Sequence, residues 1–279
     1  MKKRVIIILL SLVCALVCVF GLTACNNDNQ NEKEKEEEDI SYEPTEGLEF
    51  TLSDDEQSYY VTGIGTATDA DIYIPNEYDG KPVTSIGDSA FYNNNKITSV
   101  TMGKSITSIG EKAFCGCWYL TSVTLGKSVT DIGYEAFGIC WNLTRIVLPD
   151  SVTSIGEYAF NQCNSLTSVT MGKSVTSIGD FAFGECDNLT SITIPSKVAN
   201  IKNSTFSGCR KLTDITITSS VTNIEGYAFE RCEALTNIKF KGTKAQWKAI
   251  TKEADWNYNT GDYTVKCSNG TLSKSESEE

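Results

Sequence analysis

No histidine occurs anywhere in this sequence, and its 24 lysines and arginines are outnumbered by 36 aspartates and glutamates. The missing histidine removes the commonest general base and the commonest metal ligand, so catalysis by a Ser-His or Cys-His pair is excluded. The shortage of basic residues gives a formal net charge of -12, whereas nucleic-acid binding needs lysine and arginine to neutralise phosphates. We therefore predict that the protein is not an enzyme and has no nucleic-acid partner, no metal, no cofactor and no catalytic residue.

Residues 1–24 have the pattern of a secretory signal peptide, in which a basic start precedes the apolar run Val5 to Gly21. The end of this run, Leu22-Thr23-Ala24-Cys25, resembles a bacterial lipobox. The resemblance implies cleavage before Cys25 and a lipid on its side chain. An uncleaved membrane helix is the alternative, since Val5 to Ala24 is long enough to span a bilayer. Either way, we expect the rest of the chain to lie on the extracellular face of a bacterial membrane, anchored at its N-terminus.

An acidic segment, residues 25–48, follows the signal. Between Asn26 and Gly47 it contains nine aspartates and glutamates, two lysines and almost no apolar side chains. Such a segment cannot bury enough apolar surface to offset the entropy lost on ordering, and its like charges extend the chain. We therefore predict a disordered linker.

A unit of 23 residues repeats seven times without an insertion, and each copy is close to Val-Thr-Ser-Ile-Gly-x-x-Ala-Phe-x-x-Cys-x-x-Leu-Thr-Ser-Val-Thr-Leu-Gly-Lys-Ser. A period of 20–50 residues indicates a solenoid or an array. Because the spacing is strict, we expect each unit to stack on the next and to bury one shared core. The units occupy residues 83–243 and begin at Val83, Ile106, Val129, Val152, Val175, Val198 and Val221.

Each unit contains an L-x-x-L-x-L segment, such as Leu120 to Leu125, which is the spacing of a leucine-rich repeat. Strand alternation predicts that Val123 and Leu125 point inward and that Ser122 and Thr124 point outward. One position of the unit is always phenylalanine, which predicts a stacked ladder in the core formed by Phe91, Phe114, Phe137, Phe160, Phe183, Phe206 and Phe229.

The pattern x-x-Ile-Gly-x-x-Ala-Phe-x-x-Cys-x-x-Leu-x-x-Ile-x-Ile-Pro closely resembles the BspA-like, or Treponema-type, leucine-rich repeats of bacterial surface proteins. The resemblance covers about Phe50 to Gly270 and implies adhesion or recognition, with matrix proteins, host cells or other bacteria as partners. The predicted fold is a mainly β solenoid whose parallel strands stack into a curved single sheet, with short second strands and helical turns on the convex side. The chain departs from the standard leucine-rich repeat at the asparagine-ladder position, which holds Ser105, Ser128, Ser151, Ser174, Lys197, Ser220 and Thr243.

The ends of the repeat region have atypical sequence, as caps that hide an open core edge should have. We predict an N-terminal cap at residues 49–82, with strands around Tyr59 and Ile72, and a C-terminal cap at residues 244–270. Two tryptophans of the second cap, Trp247 and Trp256, are expected to fill its core; a platform for sugars is the alternative. The polar tail, residues 271–279, is predicted to be disordered.

The outward side chains of the predicted strands would form an extended strip on the concave face, a surface that solenoids use for binding. The alternative is that serine and threonine simply suit an exposed strand. Arg145, Asp214 and Lys239 break the uniformity and are the first contacts to test. The candidate binding residues are Ser99, Thr101, Ser122, Thr124, Arg145, Ser168, Thr170, Ser191, Thr193, Asp214, Thr216, Asn237 and Lys239.

Six cysteines occupy one position of successive units, namely Cys117, Cys140, Cys163, Cys186, Cys209 and Cys232. They could form a metal or redox array, or a row of buried thiols in the core. The second interpretation is favoured, because free cysteine is among the most buried residue types and no C-x-x-C pair occurs. Cys115 lies outside this row and is predicted to be the most exposed thiol.

Three functions fit these features. The first is a non-catalytic surface lipoprotein whose solenoid binds an extracellular protein or glycan. The second is a passive structural coat. The third is a glycan-binding accessory to a surface enzyme or transporter, which would bind saccharides through Trp247 or Trp256.

Overall fold

The computed structural model describes residues 43–278. The predicted signal peptide, the lipidation site Cys25, residues 26–42 of the predicted linker and Glu279 lie outside the described residues. In chain order, the elements are β1 (Glu49–Leu52), β2 (Tyr59–Gly63), β3 (Asp71–Ile74), β4 (Glu77–Tyr78), β5 (Lys81–Ile86), β6 (Ser99–Met102), β7 (Ser108–Ile109), β8 (Ser122–Thr124), β9 (Asp131–Ile132), β10 (Arg145–Val147), β11 (Ser154–Ile155), β12 (Ser168–Thr170), β13 (Ser177–Ile178), β14 (Ser191–Thr193), β15 (Asn200–Ile201), β16 (Asp214–Ile217), β17 (Asn223–Ile224), β18 (Asn237–Phe240), α1 (Lys244–Lys248), β19 (Thr251–Lys252), β20 (Thr264–Cys267), β21 (Gly270–Ser273) and α2 (Lys274–Glu278).

The fold is a β-solenoid in which each repeat contributes two strands, so the predicted fold class is confirmed. We call the strand of three or four residues the long strand, and we call the other the short strand, which has two residues in every repeat except the first, where β5 has six. The long strands run parallel in the register of the sequence period, with Arg145 beside Ser168 and Ser191 beside Asp214. They form a three-stranded group, β3-β6-β8, and a second group, β10-β12-β14-β16-β18-β20, to which β21 is added antiparallel at the C-terminal end. Between β8 and β10, the backbone N–H of Thr144 donates to the carbonyl of Thr121 at 3.4 Å.

The short strands form a second parallel ladder. Strands β5, β7, β9, β11 and β13 continue from the β1-β2 hairpin, and β15, β17 and β19 form a separate group. Ser85 pairs with Ser108 and Ile86 with Ile109, so this ladder has the same period as the long strands. The predicted second strands are therefore present.

The segment that leads from each short strand to the next cysteine consists of tight turns. Within one segment, the N–H of Cys117 donates to the carbonyl of Phe114 at 3.1 Å. Between segments, the N–H of Phe114 donates to Ala136 and that of Phe137 to Ala159, both at 2.8 Å. The predicted helical turns thus take the form of turns that are hydrogen-bonded to the neighbouring repeat, which satisfies backbone groups that pack over the core.

The phenylalanine ladder fills the core. Successive rings from Phe91 to Phe229 lie nearly parallel, with centroids between 4.9 Å and 5.8 Å apart. All seven rings are buried, and offset stacking at such distances is favourable beyond the burial itself. Around them pack the buried leucine, isoleucine and valine side chains of the strands. The predicted core ladder is confirmed.

Side-chain hydrogen bonds to backbone carbonyls connect neighbouring repeats. Each ladder cysteine donates its thiol hydrogen to a phenylalanine carbonyl of the preceding repeat, as Cys163 does to Phe137 at 3.2 Å. Threonines do the same on both strand ladders, with Thr130 donating to Thr107 and Thr121 to Thr98, both at 3.0 Å. At the asparagine-ladder position, Ser151 Oγ donates to the carbonyl of Val129 at 2.7 Å and Ser220 Oγ donates to the carbonyl of Val198 at 3.0 Å.

The N-terminal cap begins earlier than the sequence predicts. Thr45 and Leu48 are buried, the N–H of Thr45 donates to the carbonyl of Tyr73 at 3.1 Å, and the N–H of Tyr73 donates to Thr45 Oγ1 at 2.8 Å. The prediction of disorder up to residue 48 is therefore wrong for residues 43–48. Thr45 is hydrogen-bonded to β3 and Leu48 joins the hydrophobic core, which local composition alone does not reveal.

The C-terminal cap extends beyond its predicted end. Residues 271–278 complete β21 and form α2, so the prediction of a disordered tail is wrong for them. Leu272 and Ser277 are buried, and the indole N–H of Trp247 donates to the carbonyl of Ser277 at 3.1 Å. The tail is polar in sequence, but it is ordered because it covers Trp247.

Candidate binding surface

The outward side chains of the long strands lie in two rows, which we call the long-strand face. Alternate residues point inward and are buried, such as Ile146, Ile192 and Ile215. The structure brings all the predicted candidates together in these rows. The candidates on strands β8 to β14 are exposed, and so are Asp214 and Lys239. The remaining candidates are partly exposed, namely Ser99, Thr101, Thr216 and Asn237.

Charged and apolar side chains interrupt the hydroxyl rows at a few places. Arg145 and Val147 project from β10, and the valine side chain is 59% exposed. Asp214 is exposed on β16, and Thr213 Oγ1 donates to its carboxylate at 2.6 Å. Within residues 43–278, the hydroxyls of Ser168 and Ser191 form no hydrogen bond to the protein, so they are available to a ligand.

The structure extends the face beyond the predicted residues at both ends. Asp71 lies beside Ser99 at the N-terminal end. Lys266 lies beside Lys239 at the C-terminal end and is exposed. The irregular spacing of the cap units conceals these positions in the sequence, because Asp71 and Ser99 are 28 residues apart rather than 23. The face therefore has an acidic N-terminal end and a basic C-terminal end.

A pocket of about 440 Å³ opens at the acidic end of the face. Glu43, Glu46, Asp69 and Asp71 line it together with Tyr73 and neighbouring residues. Asp71 accepts hydrogen bonds from Ser99 Oγ at 2.6 Å and from Thr98 Oγ1 at 3.0 Å. Among the described residues, no group of three or more cysteine, aspartate or glutamate side chains has the arrangement of a metal site.

A second exposed surface was missed by reasoning from the sequence. Trp118 and Trp141, at the same position of successive repeats, stack with centroids 5.1 Å apart and an interplanar angle of 9°. They are 37% and 44% exposed, and the neighbouring Tyr119 is 57% exposed. The signal for this surface was an aromatic residue directly after two ladder cysteines, at a position that is polar in the other repeats.

The tryptophans of the C-terminal cap do not form a surface. Trp247 and Trp256 are buried, and Trp256 lies edge-on to Phe229, the last ring of the core ladder, at 5.9 Å. The alternative of a sugar platform at these two residues is therefore wrong, because their rings cover the end of the core and cannot stack on a ligand.

The described cysteines are free, and the six thiols of the ladder are buried. Burial raises the pKa of Cys117, Cys163 and Cys209 to about 12, and it raises the pKa of the other three ladder thiols well above the usual value. Such thiols are inert at neutral pH. Cys115 is only 2% exposed, so the prediction that it is the most exposed thiol is wrong; among the described cysteines, Cys267 is the one that is partly exposed.

The fold and the long-strand face define a leucine-rich-repeat solenoid. The sequence matches the profile described as BspA type leucine rich repeat region, with six copies over residues 84–183 and 130–254. These residues make up more than half of the chain, so the protein belongs to the BspA-type leucine-rich-repeat family. Members of this family are bacterial surface proteins, and leucine-rich repeats in general mediate binding.

Solved structures of bacterial leucine-rich-repeat proteins are similar to this chain. The leucine-rich-repeat protein of T. pallidum is 28% identical with a TM-score of 0.61, over 70% of this chain and 91% of that chain. A leucine-rich-repeat protein from Bacteroides ovatus is 28% identical with a TM-score of 0.62, over 73% of this chain and 55% of that chain. No curated protein matches the sequence significantly. Within residues 43–278, none of the helices has the length and apolar character needed to span a membrane.

Proposed function

We propose that this protein is a non-catalytic, lipid-anchored bacterial surface protein that binds an extended protein or glycan partner through the long-strand face. The observation that carries this proposal is the pair of in-register rows of exposed side chains. At about 4.8 Å per strand, nine long strands span roughly 40 Å, which suits a macromolecular ligand.

Charge supports recognition by the face rather than a passive coat. Arg145, Asp214 and Lys239 are exposed, and each stands where most repeats have serine or threonine. Exposed charges of this kind set the register and the choice of partner more than they set affinity. A coat that only has to be soluble does not need charges of alternating sign along one face.

Attachment through Cys25 belongs to the same proposal and rests on the lipobox-like sequence before it. The acidic segment after Cys25 would hold the solenoid away from the anionic membrane surface by charge repulsion. Mass spectrometry of the protein from the membrane fraction reports this directly. A peptide that begins at Cys25 and carries acyl chains supports the anchor, whereas an unmodified Cys25 contradicts it.

The test of recognition is a binding screen of the full chain against matrix proteins, mucins and a glycan array, repeated with Arg145→Glu and Lys239→Glu. We expect a saturable partner whose affinity falls at least tenfold in one of these variants, because charge reversal places like charges opposite each other. The control is Lys197→Glu, whose side chain is exposed in the turn that follows β14 and does not belong to the long-strand face. A partner bound equally by all variants contradicts recognition through this face, and no partner at all favours the coat.

A further inference from the structure

The exposed aromatic residues around Trp118 and Trp141 form a surface that is separate from the long-strand face, and we call it the tryptophan ledge. We define it as Trp118, Tyr119, Trp141, Asn142 and Asn164, the residues that follow the ladder cysteine in successive repeats. Both indole rings and the tyrosine are exposed. Large aromatic residues exposed side by side are uncommon on a protein surface and mark sites of interaction.

The fold does not require tryptophan at this position. The repeat before Trp118 has Asn95 there, and the repeat after Trp141 has Asn164, yet the backbone register is the same in all of them. The carbonyl of Trp118 accepts a hydrogen bond from Asn142 Nδ2 at 2.7 Å, and the carbonyl of Trp141 accepts one from the Ser165 N–H at 3.0 Å. These are backbone contacts that any residue could make, so the indole rings themselves are free to serve another purpose.

The positions on either side of the indole pair hold smaller, polar side chains, Asn95 and Asn164. The rings cover each other, but the next position beyond Trp141 is the much smaller Asn164. The Nδ2 group of Asn164 donates to Asp187 Oδ2 at 3.1 Å, and the carbonyl of Asn164 accepts from Asn188 Nδ2 at 2.6 Å. An aromatic face therefore continues into a row of side-chain amides, with the Asp187 carboxylate near Arg210 at 3.4 Å.

We propose that this ledge binds an uncharged glycan chain that lies along the solenoid axis. The carbon-bound hydrogens of a pyranose ring carry slight positive charge and pack on the negative face of an indole ring. Amide groups both donate and accept, so they pair with sugar hydroxyls of either orientation. A net charge of -12 disfavours acidic glycans. This proposal does not depend on the long-strand face, nor on any ligand of that face.

The experiment uses the full chain in a detergent that contains no sugar. Binding of neutral oligosaccharides is screened on an array and then measured by calorimetry and tryptophan fluorescence. The variants are Trp118→Asn and Trp141→Asn, which introduce the residue type already present at this position in neighbouring repeats. We expect at least one neutral oligosaccharide to bind and its affinity to fall tenfold or more in Trp141→Asn, with an unchanged thermal unfolding temperature.

Tyr227→Ser is the matched control, because Tyr227 is 42% exposed in a turn segment and Ser204 occupies its position in the preceding repeat. This variant is expected to bind the glycan like the parent. A glycan whose affinity falls in Arg145→Glu and not in the tryptophan variants would lie on the long-strand face and would contradict binding at the ledge. The proposal is overturned if no neutral oligosaccharide binds, or if binding survives both tryptophan substitutions. Self-association that is lost in Trp141→Asn, without glycan binding, would identify a second copy of the chain as the occupant instead.

Discussion

Two backbone positions in every repeat have left-handed dihedral angles, and they set what each turn segment can contain. In one repeat they are Lys112 with φ 53° and Gly116 with φ 73°. Glycine adopts this conformation without strain, asparagine tolerates it, and β-branched residues are strongly disfavoured there. Asn93 and Gly208 occupy the second position in other repeats, but Ile139 occupies it with φ 59°. Ile139 is therefore the most strained residue of the turn segments.

Replacing Ile139 by asparagine should stabilise the protein. The left-handed conformation costs an ordinary residue about 1–2 kcal/mol, and the Ile139 side chain is only partly buried, so little packing is lost. We expect Ile139→Asn to raise the free energy of unfolding by roughly 1 kcal/mol in a urea titration. Gly116→Ile, the reverse change at the equivalent position, should lower it by a similar amount or more. A lower stability for Ile139→Asn would show that its packing outweighs the strain.

The ladders that run through successive elements combine packing with hydrogen bonding. The cysteine thiols fill small spaces beside the phenylalanine rings, and each also donates to a carbonyl such as that of Phe114 or Phe137. A buried carbonyl without a partner costs about 1–3 kcal/mol. The interpretation of these residues as buried core thiols is confirmed by their burial, and the hydrogen bond gives a physical reason for cysteine rather than alanine.

Alkaline pH should destabilise the protein through these thiols. Burial raises the pKa of Cys163 to about 12 from an ordinary value of 9.0, so the unfolded chain releases this proton at a lower pH than the folded protein does. The contribution of the protonated Cys163 thiol to the free energy of unfolding is therefore complete below about pH 9 and is lost as the pH rises from about 9 to about 12. Each such thiol contributes a slope of about 1.4 kcal/mol per pH unit in that window.

The measurement is the free energy of unfolding from urea titrations between pH 7 and 11 under reducing conditions. Cys163→Ala is expected to be less stable than the parent at pH 7, because the Phe137 carbonyl loses its donor. Above pH 9, the free energy of unfolding of Cys163→Ala should fall less steeply with pH than that of the parent. The difference in slope should be that of one thiol, about 1.4 kcal/mol per pH unit. Parallel curves for the two proteins would contradict the raised pKa of Cys163.

The described chain as a whole is a stack of like units whose two ends need different structures. At the C-terminal end, Trp256 covers the last phenylalanine of the core and packs edge-on with Trp247 and Tyr263. Helix α2 lies over this aromatic cluster, and Asn257 Nδ2 donates both to Tyr263 Oη at 2.8 Å and to Glu278 at 2.7 Å. A solenoid unit without a neighbour exposes its core, so the final residues contribute to the stability of all the repeats.

Removing residues 274–279 should therefore destabilise the whole repeat region. Without α2, the Trp247 indole loses the Ser277 carbonyl that accepts its hydrogen bond, and its ring is uncovered. We expect a lower unfolding temperature and a red shift of the tryptophan emission. Ser275→Ala, which changes an exposed residue of α2, serves as the control and should leave both unchanged. Identical unfolding of the truncated and parent proteins would mean that the tail is not part of the cap.

The amino-acid sequence by itself determined the solenoid, its register, its core ladder and the two rows of the long-strand face. It could do so because a strict period of 23 residues gives every repeat the same neighbours, and strand alternation then assigns each side chain to a face. The role of the candidate residues on that face stays a prediction, since position alone does not identify a ligand.

Only the tertiary structure decided the remaining features. Residues 43–48 and 271–278 have polar sequences with no recognisable period, and they are ordered because they pack on β3 and on Trp247. In the turn segments, left-handed residues replace the regular alternation of a strand, so sequence spacing does not show which side chains face solvent. For this reason Cys115 is buried, while Trp118 and Trp141 project from the surface as a stacked pair.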